Sequence, residues 1–172
     1  KFVDWTHTVL AFLARRSSSH VILNSGINSK DLTFLNVLLG QAPVIRVVQH
    51  KDRISKPDLL MRKRLNLKIS SNSKFAMFLI KQLQSQIPRI YLEDFKWAVD
   101  RACLTYPKKP KSITTGYGFL DDDVFKIWTA EQIERGAKLS IFQHGGQFGM
   151  RLFDQTEDHQ FAISDRFYSW GW

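Results

Sequence analysis

The sequence predicts an α/β protein, doubly wound around a mostly parallel sheet, and three observations carry that prediction. Short runs of strand length recur at His20–Asn24, Val44–Val48, Lys111–Thr115, Lys138–Phe142 and Arg166–Trp170. Stretches with apolar residues at helical spacing lie between them, the alternation that parallel strands with crossover helices require. Polar or glycine-rich loops follow most of the runs directly, as they do where open parallel sheets bind ligands.

The elements follow in order. Asp4 to Arg16 carries Trp5, Val9, Leu10, Phe12 and Leu13 at close to helical period. The strand at His20 runs into Asn24-Ser25-Gly26, and Ser29 is suited to cap a helix reaching Leu39. Pro43 opens the run Val44–Val48, which ends in Gln49-His50 and a basic loop; Pro57 suits the first turn of the next helix. Two further helices are expected over Asn72–Gln86 and Pro88–Leu104. Pro107-Lys108-Lys109-Pro110 is a stiff connector to the strand Lys111–Thr115, which turns at Gly116-Tyr117-Gly118. Asp121, Asp122 and Asp123 place negative charge where a helix dipole favours it, ahead of a helix Val124–Arg135 closed by Gly136. The strand Lys138–Phe142 leads into Gln143–Gly149, and a short helix at Glu157–Ile163 precedes the last strand.

Composition excludes several classes. The 172 residues are 44% hydrophobic and include 22 aromatic side chains, too many to stay solvated in a disordered chain. The longest apolar runs, Val9–Ala14 and Phe75–Ile80, are six residues, against about 20 for a membrane span. One cysteine, Cys103, forms no internal disulfide, and no Cys/His set has zinc-finger spacing. The chain starts at Lys1 and stops in Ser169-Trp170-Gly171-Trp172, an aromatic, strand-like end that reads as an excerpt of a longer protein.

The formal net charge of +9 is uneven, with +13 over residues 1–118 and −4 over residues 119–172. The densest stretch, Arg46 to Lys68, holds eight basic residues against Asp52 and Asp58 and suits phosphate, anionic lipid headgroups or plain solvation. A nucleic-acid-binding module would use such a patch, but no RRM, KH or zinc signature accompanies it.

Among the loops, Gln143-His144-Gly145-Gly146-Gln147-Phe148-Gly149 is the sharpest candidate site. Its glycines free backbone N–H groups to approach an anion, and His144 can act as acid, base or phosphate donor. The alternative is a plain Gly-Gly turn with His144 bonded to backbone. Gly116 at the end of its strand, with His50 and Arg53 after theirs, are further phosphate-site candidates. Glu157 and Asp165 are candidates to orient a loop, and the cluster Glu157, Asp158, His159, Asp165 reads better as a solvated helix face than as a metal site. Gly116-Tyr117-Gly118 falls short of a dinucleotide fingerprint, because Asp121 stands where the third glycine belongs; GxSxG and P-loop motifs are absent.

The last half of the chain resembles a family of transferases encoded among bacterial surface-carbohydrate genes. Ordered segments carry the resemblance: Pro88-Arg89-Ile90-Tyr91-Leu92-Glu93, Pro110-Lys111-Ser112-Ile113-Thr114-Thr115, Trp128-Thr129-Ala130-Glu131, Gly136-Ala137-Lys138-Leu139 and Gln143-His144-Gly145-Gly146. Glu157-Asp158-His159, Ile163-Ser164-Asp165 and Trp170-Gly171-Trp172 complete it. Phe142 departs from the family's glycine before Gln-His. The resemblance implies a Rossmann-like domain over 1–172 as one half of a GT-B-like, two-domain architecture, its partner domain following Trp172. It implies a cytoplasmic glycosyl or sugar-phosphate transferase at the inner face of the membrane, with a nucleotide-sugar donor and a glycan or lipid-linked acceptor. No cofactor beyond the donor nucleotide is expected. A non-catalytic glycan-binding or scaffolding domain is the alternative within that resemblance.

Overall fold

Among the described residues four strands, β1 (His20–Leu23), β2 (Ser112–Thr115), β3 (Lys138–Phe142) and β4 (Arg166–Tyr168), line up in that order as one parallel sheet. The computed structural model describes residues 19–42, 55–65 and 73–171. The helices in them are α1 (Ser29–Leu38), α2 (Leu59–Arg64), α3 (Lys74–Gln86), α4 (Phe95–Thr105), α5 (Gly118–Asp121), α6 (Asp123–Glu134) and α7 (Gln155–Ile163). This is the α/β, Rossmann-like class that the alternation predicts. The expected helix at 4–16 and strand at 44–48 lie outside the described residues, as do His50 and Arg53.

The chain divides into two compact units, Lys1–Val48 with Arg101–Trp172, and Gln49–Asp100. The first holds the sheet. Its register sets Val21, Ile113 and Leu139 side by side, and Leu23, Thr115 and Ile141 one step on, so one face is a buried row. His20, Ser112, Thr114, Ser140 and Arg166 occupy the other face, as the two-residue period of a strand dictates. Against the buried row packs α6, whose Phe125 and Trp128 meet Tyr106. Each polar tip in this aromatic cluster finds a partner: Trp128 Nε1–H donates to Pro107 O at 3.0 Å, and Tyr106 O–H to Asp122 at 2.8 Å.

The second unit contains α2, α3, a 3₁₀ turn at Arg89–Tyr91 and the start of α4. Arg62 is at its centre. Its guanidinium forks onto Glu93, at 2.6 and 2.8 Å, and donates to the carbonyls of Gln84, Ser85 and Ile87. The hydrogen bonds donated by Arg62, with its charge a smaller contribution, hold the Glu93 carboxyl down at about 2.

Local chemistry shifts several boundaries from the sequence expectation. Asn28, not Ser29, caps α1, because its extended backbone lets Oδ1 accept from the N–H of Lys30 and Asp31. Pro57 stands outside α2, since Asp58 captures the first free N–H groups. The single helix expected over Pro88–Leu104 is broken at 92–94, where Glu93 and Asp94 turn their carboxylates to Arg62 and Ser55. The aspartate run behaves as expected: Asp122 caps α6 through the Phe125 N–H, and Gly136 follows its end at φ +95°.

Candidate functional site

The carboxyl ends of β1, β2 and β3 bring three of the four candidate loops together. Asn24, one residue past β1 and in a left-handed conformation, accepts the N–H groups of Gly116 and Tyr117 at its carbonyl. Gly116 is thereby pressed close: a Cβ on it would stand 3.1 Å from Asn24 O and 3.7 Å from the His144 Cβ. A glycine after β2 is what lets the β1 and β3 loops approach one another. The fourth loop, with His50 and Arg53, is outside the described residues.

Within 143–149 the residues divide their work. Gln143 is buried and tied through its N–H and both side-chain polar atoms: its N–H donates to Tyr168 O, its Nε2 to Gly145 O at 2.7 Å, and its Oε1 accepts from Trp170 N–H at 3.1 Å. It shapes the loop. His144 is half-buried among rings, Phe148 at 5.4 Å and Tyr117 and Phe119 each at 6.4 Å between centroids. Its Nδ1 is buried without a hydrogen-bond partner, so Nε2 is the nitrogen left to meet a ligand. The N–H groups of Gly145 and Gly146 donate to nothing among the described residues, and the space beside Gly146 is open. Gln147 is exposed, and its carbonyl accepts the Met150 N–H, turning the chain back.

Glu157 closes the far end of the loop, taking the Gly149 N–H on both oxygens at 3.0 and 3.2 Å. Asp165 is at the opposite, amino end of the sheet, where it holds Lys138 Nζ at 2.8 Å and the Leu139 N–H at 2.9 Å. Those contacts lower its pKa, with the Lys138 hydrogen bond the largest cause. It orients strands, not the His144 loop. No group of three or more His, Cys, Asp or Glu capable of holding a metal occurs among the described residues.

Sequence reasoning missed the aromatic surround. Phe119 lies between two histidines, 6.4 Å from His144 and 6.4 Å from His159, and helps wall a mainly apolar cavity of about 450 Å³ against α6. Its signal was the alternation Gly116-Tyr117-Gly118-Phe119, which reads as a turn until the strands assemble and bring its two rings to the β3 loop.

A family model described as LIC12162 family transferase matches residues 1–172, the whole chain. Neither a curated protein nor a solved structure matches it.

Proposed function

From the premise that this chain belongs to the LIC12162 family of transferases, we propose that it moves a glycosyl or sugar-phosphate group from a nucleotide-activated donor to a surface-polysaccharide acceptor. The observation that carries the reading is the strand-end loop, where His144, whose Nδ1 is buried, is followed directly by the unengaged N–H groups of Gly145 and Gly146. Such donors suit the oxygens of a phosphoryl group, whose charge they meet without a metal ligand of their own. In this reading His144 serves as the base toward the acceptor or as a phosphate contact, and Gln143 holds the loop in shape. The basic stretch Arg46–Lys68, with His50 and Arg53 in it, supplies positive charge suited to anionic groups of the acceptor or membrane. The domain is one half of a GT-B-like pair, working in the cytoplasm at the inner membrane face.

The test is transfer from a panel of nucleotide sugars by the full-length protein. His144→Ala should abolish transfer and lower the melting temperature by only a few degrees, the cost of the ring's packing, because its polar edge makes no structural hydrogen bond. Full activity in that variant overturns the role of the loop. Donor binding without turnover in the unaltered protein favours the glycan-binding alternative.

A further inference from the structure

The second unit presents an apolar surface that its own packing leaves uncovered. In α3 the inward-turned side chains are Ala76, Ile80 and Gln84, spaced by four, while Phe75 is 70% exposed and Phe78 58%. On a 3.6-residue helix, Phe75 and Phe78 share the side turned away from Ala76, Ile80 and Gln84, with Leu79 at its edge. The helix thus turns its largest apolar groups outward and its small or middle-sized ones inward, the reverse of a helix that exists to fill its own core. α2, joined to α3 through Arg62, repeats the pattern with Leu59 and Leu60 about 70% exposed.

Charge indicates what such a surface meets. Neither α2 nor α3 contains an aspartate or glutamate. Lys63 and Arg64 in α2 and Lys74 and Lys81 in α3 are exposed beside the leucines and phenylalanines. Arg62, buried and saturated by Glu93 and three carbonyls, takes no part. Exposed phenylalanine and leucine flanked by lysine, with no carboxylate in either helix, match an anionic bilayer: rings enter the headgroup boundary while ammonium groups meet phosphates.

We propose that α2 and α3 form a peripheral docking surface for an anionic lipid membrane, with Phe75 and Phe78 as the inserted anchors and Lys74, Lys81, Lys63 and Arg64 as the charged rim. This deepens the membrane contact in the proposed function and rests on that part of it, naming the helices and anchors, and its test needs no assay of transfer. It also refines the meaning of the basic stretch. That run's Lys63 and Arg64 act together with apolar neighbours, and Arg62 belongs to the interior.

The experiment is co-sedimentation of the full-length protein with vesicles of zwitterionic phosphatidylcholine, with and without about a third phosphatidylglycerol. Binding to the anionic vesicles at low salt is expected, with at least tenfold weaker binding to the zwitterionic ones and a loss on raising salt. Phe75→Ser with Phe78→Ser should weaken anionic-vesicle binding tenfold or more while leaving the melting temperature unchanged or higher. Lys74→Gln with Lys81→Gln should remove about half of the salt dependence, since Lys63 and Arg64 remain. In a separate Phe78→Trp variant, indole emission should shift to the blue when anionic vesicles are added. Absence of binding, binding indifferent to the phenylalanine pair, or a dimer in solution that the Phe75/Phe78 variant dissociates would each overturn the proposal.

Discussion

Arg62 and Glu93 show how a single pair can carry both packing and pH response. The guanidinium is buried, and four of its five hydrogen bonds reach residues more than 22 positions away in sequence, the fifth 22 away. Because the Glu93 pKa is lowered to about 2 from an ordinary value near 4.5, its contribution is present in full above about pH 4.5. That contribution is lost as pH falls toward 2. Glu93→Gln should therefore lower the melting temperature at neutral pH, and the deficit should shrink as both proteins are melted at progressively lower pH. A deficit that is constant from pH 7 to pH 2.5 would show that the charge of Glu93 is irrelevant. Elsewhere, Trp128→Ala should cost about 3–5 kcal/mol by urea denaturation, since it empties the stack against Tyr106 and Phe125. The sequence reads Arg62, Lys63 and Arg64 alike as members of a basic run; nothing local distinguishes them. Only carbonyls and a carboxylate brought from a distance select Arg62 for the interior.

Among elements, those governed by neighbours in sequence were the legible ones. β3 is found where the apolar pattern sets it, and α6 begins and ends within a residue of its expected bounds because Asp122 and Gly136 are local stop signals. The helix expected from Pro88 failed for the opposite reason, as Glu93 and Asp94 answer to Arg62 and Ser55 and not to the helical backbone. In the candidate site, His144 and its glycines were visible as a motif. Tyr117, Phe119 and Phe148 were not seen as its surround, because the first two come from the segment after β2, more than 20 residues before the loop that holds His144 and Phe148. Two substitutions test the local signals by chemical denaturation. Asp122→Ala should cost about 1–2 kcal/mol through the lost cap and the stranded Tyr106 hydroxyl. Gly136→Ala should cost about 1 kcal/mol, since φ +95° is a conformation that side chains resist.

Across the whole molecule, protection is expected to centre on the inner strands. β2 and β3 each have parallel neighbours on both sides, whereas β4 is three residues long and pairs with β3 through Ser140–Phe142. Amide hydrogen exchange should be slowest over Ile113–Thr115 and Leu139–Ile141 and markedly faster in β4; equal rates would show that the sheet opens as one body. A consequence follows from the Gln143 carboxamide, which fastens Gly145 O on one side and Trp170 N–H on the other. The latch spans 27 residues, so it cannot close until the chain through Trp170 has been made and brought back beside β3. The turn bearing His144 therefore matures late. A nascent chain emerging residue by residue can pair β1, β2 and β3 before it can finish the turn, and a product truncated ahead of Trp170 would keep most of the core while lacking the latch that shapes the loop.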